Sequence, residues 1–157
     1  MSADLLGDIA HGAVIGLDTA PFIYLVEAHP LFGPVVRPLF EERLDTGINT
    51  AVTSVISLSE ALVLPLGQER IDLVASYRAL LQQGTNLVMS EVTAAIAERA
   101  AALRAQQRIR LPDALQLATA IEHHAAVFVT NDDRLRRIDA LRVLVLADYA
   151  PRKSVAP

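Results

Sequence analysis

The apolar positions of the chain fall into short blocks that alternate between two periods. Residues 13–17 and 48–53 are short runs of apolar and β-branched residues, each predicting a buried strand. Between them Pro21 opens a helix that reaches about residue 27, and a second helical stretch covers 35–44. Val55, Leu58 and Leu62 recur at helical spacing, which predicts a helix over 55–63 that Pro65 ends. Two longer helical patterns, 71–83 and 91–107, enclose a strand-like stretch at 86–89. Residues 111–133, "LPDALQLATAIEHHAAVFVTNDD", supply one more helix and a β-rich run at 126–130, and 141–146 reads as the last strand. Strands alternating with helices predict a single α/β domain, with a mainly parallel sheet of about five strands sandwiched by helices.

That architecture gives the acidic residues a test. In an open parallel sheet, ligands bind outside the carboxyl ends of the strands, where the helix N-termini also lie. Asp18 closes the first strand and Asp132 closes the fourth. Glu60 rides the helix after the second strand, and Asp113 opens the helix whose apolar stripe continues through Leu117, Ala120 and Ile121. All four are therefore expected at one edge, although they are dispersed along most of the sequence. Each alone has a structural account. Asp18 or Thr19 can cap a helix, Ser57-x-x-Glu60 matches a capping box, Asp113 suits a first helical turn, and "TND" suits a tight turn. Jointly they make a carboxylate cluster, which repels itself unless a cation neutralises it, and an all-oxygen donor set suits Mg²⁺ or Mn²⁺.

Composition narrows the class. The chain has 157 residues, enough for one domain that buries roughly two-thirds of its unfolded surface. No apolar run reaches the roughly 18 residues a membrane span needs, and the acidic start "MSADLLGDIAHG" does not read as a signal peptide, so a cytoplasmic location is expected. The absence of cysteine excludes disulfides and thiolate metal sites. His11, His29, His123 and His124 are expected at the surface, away from the acidic edge. The net charge of −4 advertises no global attraction to nucleic acid, but the distribution differs from the sum. Arginines cluster around the 111–133 stretch, with Arg108 and Arg110 before it and Arg134, Arg136 and Arg137 after it, and guanidinium forks match phosphate geometry.

These features together resemble the PIN domain, in particular the VapC toxin ribonucleases of VapBC toxin–antitoxin pairs. The resemblance rests on "IGLDTAPFIYLVEAHP" at the first acid, "NTAVTSVISLSEAL" at the second and "RLPDALQLATAIEHHAAVFVTNDDRLRRI" at the third and fourth. It assigns the domain to residues 13–148, between an N-terminal extension at 1–12 and a tail at 149–157. It implies Asp18, Glu60, Asp113 and Asp132 as catalytic and metal-binding residues, with Thr19, Thr130, Asn131 and Asp133 in auxiliary positions. Two departures from the commoner pattern, the longer "EHHAA" and Leu135, leave Asp132 and Asp133 competing for the fourth place.

The implied activity is endoribonucleolytic hydrolysis by water activated by one or two Mg²⁺ or Mn²⁺ ions, leaving a 5′-phosphate and a 3′-hydroxyl. The implied partners are an RNA substrate, a VapB-like antitoxin and a second copy in a homodimer. Arg108, Arg110, Arg134, Arg136 and Arg137 would contact flanking phosphates. Aromatic residues are only 4% of the chain, so a structured RNA read by shape is expected rather than stacked bases. The alternatives are a housekeeping RNA-processing PIN nuclease without an antitoxin and a catalytically weak PIN-fold interaction module. A Mg²⁺-dependent phosphatase ranks lower, because Asp18-Thr19-Ala20 lacks the second acid of a D-x-D nucleophile motif.

Overall fold

A computed structural model describes residues 3–152. Residues 153–157 of the expected tail, and residues 1 and 2 of the expected extension, lie outside the described residues. Among the described residues, five strands form one sheet: β1 (Val14–Leu17), β2 (Thr50–Ser54), β3 (Leu87–Ser90), β4 (Val127–Thr130) and β5 (Arg142–Val145). Every pairing is parallel and the order is β3-β2-β1-β4-β5, so the central strand β1 lies between β2 and β4. Among the described residues the α-helices are α1 (Thr19–Val26), α2 (Gly33–Pro38), α3 (Ile56–Gly67), α4 (Ile71–Gln83), α5 (Ala94–Gln107) and α6 (Leu111–Glu122).

Strand pleating divides the core into two layers. Ile15, Leu17, Val127, Val129 and Leu144 point to one face, where Phe22, Val36, Leu39, Ala61, Val74 and Tyr77 of the first four helices and their junctions cover them. Phe128 and Val143 point to the other, beneath α5 and α6. Between residues 22 and 40, Phe22, Val36, Leu39 and Phe40 are buried, and Ile23, Tyr24, Val26, Phe32 and Val35 pack against that core.

Helix α6 lies unusually close to β1. A Cβ added at Gly16 would stand 2.6 Å from Ala120 Cβ and 3.0 Å from Phe128 Cδ2, so only glycine admits the helix at this distance. That approach brings the N-terminal turn of α6, with Asp113, over the end of β1.

Three local readings need correction. Pro65 does not end α3, which runs on to Gly67. Pro65 removes the N–H that the Ala61 carbonyl would receive, yet the turn beyond it still closes, with Gln68 N–H on the Leu64 carbonyl at 3.0 Å and Arg70 N–H on the Pro65 carbonyl at 2.9 Å. The stretch expected as one helix over 35–44 is α2 followed by a π-helical turn, Leu39–Leu44, beginning immediately after Pro38. The wide turn starts where Pro38 interrupts the regular ladder, and it closes with Asp45 N–H on the Phe40 carbonyl at 2.8 Å. Helix α5 starts at Ala94 rather than 91, because the Thr93 hydroxyl caps Ile96 N–H.

The segment before β1 is joined to the body of the protein. Leu5 and Ile9 are 3% and 2% exposed and belong to the core. The buried Arg43 guanidinium donates to the carbonyls of Ile9 and Leu6 and to Asn49 Oδ1, and Asn49 in turn donates to the carbonyls of Ala10 and Ala13. Among the described residues, no helix is long and apolar enough to cross a membrane.

Candidate active site

Four separate elements deliver four acids to the carboxyl edge of the sheet. Asp18 follows β1 and caps α1, its Oδ1 accepting Thr19 N–H at 2.8 Å. Glu60 stands one turn into α3, Asp113 in the first turn of α6, and Asp132 two residues past β4. All four line one open cavity of about 420 Å³, together with Thr19, Tyr24, Arg110, Thr130, Asn131 and Asp133. None of the four histidines, all within the described residues, lines it; His123 bonds Ser90 Oγ at 3.0 Å, and His29 Nδ1 receives the N–H groups of Leu31 and Phe32.

The structural accounts of these acids are realised unevenly. Asp18 does cap its helix and Asp132 does cap the 3-10 turn Asp133–Arg137, accepting Arg134 N–H at 3.0 Å. The capping box does not form, because α3 starts at Ile56. Ser57 instead turns inward to Thr53 at 2.8 Å and Thr19 at 3.2 Å, and Glu60 Oε1 accepts the Thr19 hydroxyl at 3.2 Å. Of the two neighbouring aspartates, Asp132 is the enclosed one, its side chain 21% exposed against 80% for Asp133, which faces out to Arg136. Thr130 donates to Asp18 Oδ2, while Asn131 braces the wall by donating to Tyr24 Oη at 2.9 Å and accepting Ala147 N–H at 3.0 Å.

Charge is unevenly compensated across this edge. Burial, with the nearby Glu60 and Asp113 carboxylates adding to it, pushes Asp18 up from 3.8 to about 6, against the lowering pull of its bonds from Thr130 and Thr19. Asp132 is held below the usual carboxylate range by the Arg134 guanidinium. The arginines continue past the acids. Arg108, Arg110, Arg134 and Arg137 line a narrow groove that shares Asp113 and Asp132 with the cavity. Arg136 lies outside it, paired with Asp133 and Asp148.

The PIN domain family model matches residues 15–141, which contain all four acids. The chain belongs to the PIN domain family. No curated protein sequence matches it significantly. Among solved structures it is similar to VapBC2 from Rickettsia felis bound to a DNA fragment from its promoter, with a TM-score of 0.68 and 21% identity over 84% of this chain and 98% of that one. It is also similar to Mycobacterium tuberculosis VapC20, described as a sarcin-ricin loop cleaving toxin, with a TM-score of 0.63 and 15% identity over 83% and 99% of the two chains. The DNA-bound VapBC of Salmonella typhimurium aligns with a TM-score of 0.62 and 19% identity over 86% and 98%. At these identities the likeness is one of fold.

In this PIN domain the donor set, four carboxylates without thiol or imidazole, fits a hard divalent cation, and the partly uncompensated charge at Asp18 would be relieved by one. The side chains are not closed into a cage: among the described residues, no three of His, Cys, Asp and Glu converge on a common ion position. One residue beneath the site escaped the sequence reading. Gln116 is 2% exposed; its amide donates to Ser57 Oγ at 2.7 Å and Thr19 Oγ1 at 3.3 Å, and it accepts Ser54 N–H at 3.3 Å. It links α6 to β2, α3 and α1. The available signal was an amide at 116 among the apolar Ala114, Leu115, Leu117 and Ala118, one turn after Asp113.

Proposed function

We propose that this PIN domain is a divalent-metal-dependent endoribonuclease, acting in the cytoplasm as the toxin of a type II toxin–antitoxin pair. The observation that carries the reading is the convergence of Asp18, Glu60, Asp113 and Asp132 on one cavity whose rim continues into an arginine groove. Asp18, Asp113 and Asp132 would hold one or two Mg²⁺ or Mn²⁺ ions, with Glu60 as a further ligand or an orienter of water. The bound ion supplies Lewis acidity, which acidifies water and offsets charge on the scissile phosphate.

The chain's own residues carry the remaining work. Thr130 and the Thr19 N–H fix Asp18 from two sides. Thr19 holds Glu60 by Oε1, leaving Oε2 to orient or deprotonate the attacking water. Water oxygen bonds to phosphorus as the bond to the 3′-oxygen breaks, and the products are a 5′-phosphate and a 3′-hydroxyl. Arg108, Arg110, Arg134 and Arg137, which line one groove beside the cavity, would receive phosphates there; Arg136 would do so only by giving up Asp148. The fold shared with VapBC proteins supports a VapB-like antitoxin and a homodimer as partners.

The test is cleavage of structured RNAs, a sarcin-ricin stem-loop among them, by purified protein with Mn²⁺ or with EDTA. Cleavage is expected with Mn²⁺, lost with EDTA and lost in folded Asp18→Asn and Asp113→Asn; near-wild-type activity in either variant refutes the assignment. One observation favours a second reading. Asp113 and Asp132 already carry arginine partners, as a catalytically weak interaction module would tolerate, and absence of Mn²⁺-dependent cleavage would favour it.

A further inference from the structure

The cavity has two unlike walls. On one, Asp18 and Glu60 accept hydroxyls from Thr130 and Thr19. On the other, both carboxylates are gripped by guanidinium forks. Arg110 donates to Asp113 through Nε at 3.0 Å and Nη2 at 3.3 Å, one bond to each oxygen. Arg134 does the same to Asp132, at 2.9 and 2.7 Å. In both pairs the acid is enclosed and the arginine is not: side-chain exposures are 12% against 63%, and 21% against 68%. The fold therefore fixes the carboxylates, while little besides the carboxylates restrains the arginine heads.

We infer that Arg110 and Arg134 are resident counter-cations of the acidic site, which a divalent ion must displace from Asp113 and Asp132 and which then turn outward to the phosphates of a polyanionic substrate. The inference rests on the proposed nuclease reading, because it requires the site to take such an ion. A two-point guanidinium fork uses the lone pairs that a hard cation would need, and the two positive groups repel at contact distance. Displacement costs little, since the arginine heads are largely in solvent and pairs screened in that way are individually weak. Each arginine is also tethered within three residues of its acid, so it returns whenever the ion leaves. Ion and polyanion then assist each other: either one frees the groups that the other needs, and such coupling is reciprocal.

The decisive measurement is the Mn²⁺ affinity of the protein alone, by isothermal titration, for wild type, Arg110→Gln, Arg134→Gln and the double variant. Glutamine keeps a polar side chain and removes the charge. Arg99→Gln is the control, because Arg99 pairs with Glu122 at the opposite end of α6. Each single substitution is expected to tighten Mn²⁺ binding about threefold and the double about tenfold, with Arg99→Gln near wild type. Thermal melts verify that each variant is folded. Unchanged or weaker binding in the double variant overturns the inference and leaves the nuclease reading standing. Equal tightening in Arg99→Gln reduces the effect to net charge and also overturns it. Failure of wild type and every variant to bind Mn²⁺ overturns both.

Discussion

Thr130 donates its hydroxyl to Asp18 Oδ2 at 2.7 Å, joining residues 112 positions apart. The Thr130 hydroxyl oxygen also accepts Asp132 N–H at 3.0 Å, so one side chain on β4 sets the positions of two acids. Thr130→Val keeps the β-branched shape but strips both bonds, leaving an acceptor and a donor unsatisfied. The expected cost is about 1–3 kcal/mol in denaturant unfolding. RNA cleavage should fall by up to about 100-fold through misplacement of Asp18, with Thr130→Ser close to wild type. Unfolding curves and single-turnover cleavage assays measure the two effects.

Asp18 gives the metal-free protein a definite pH response. Its pKa rises from 3.8 to about 6 on folding, so between those values the folded chain holds a proton that the unfolded chain has released. Stability from this group is therefore greatest below pH 3.8, falls as pH climbs to 6 and stays reduced above, by about 3 kcal/mol at most. Asp18→Asn removes the titration. In EDTA the variant should be more stable than wild type at pH 7.5, and the gap should shrink at pH 4.5. Denaturant midpoints at the two pH values test this, and Mn²⁺ should narrow the gap at pH 7.5 by stabilising the wild type alone.

Gln116 offers a test of how the site is held from beneath. Gln116→Leu fills the same space but deletes its bonds to Ser57, Thr19 and Ser54. A loss of about 1–3 kcal/mol in stability is expected from the groups left unpaired. Because Thr19 in turn holds Glu60, kcat should drop while KM changes little; steady-state kinetics on a defined RNA separates the two.

Much of the architecture was legible because strand and helix differ in the period of their apolar positions. The β-rich run ahead of "TND" and the stripe from Asp113 through Leu117 and Ala120 each name their element and their buried face. The convergence of the acids followed from one geometric rule, that strand ends and helix starts share an edge. The parts that stayed hidden depend on distant chemistry. Nothing near Arg43 in sequence announces that its guanidinium takes carbonyls at residues 6 and 9, and so the first dozen residues read as an appendage although Leu5 and Ile9 are core. Gln116 looks neutral until Ser57 and Thr19 are seen beneath it. Proline was misjudged in both directions: at 65 the helix expected to stop passes through it, and at 38 the helix expected to run on unbroken widens into a π-helical turn.

The sheet order also bears on when the cavity comes into being. Asp18 is translated 112 positions ahead of Thr130, which anchors it and arrives only with β4, the strand that pairs with β1; Asp132 follows directly after. A nascent chain that has not yet reached β4 thus carries an incomplete centre. Cleavage by the proposed centre therefore has to wait until the chain has grown past residue 132.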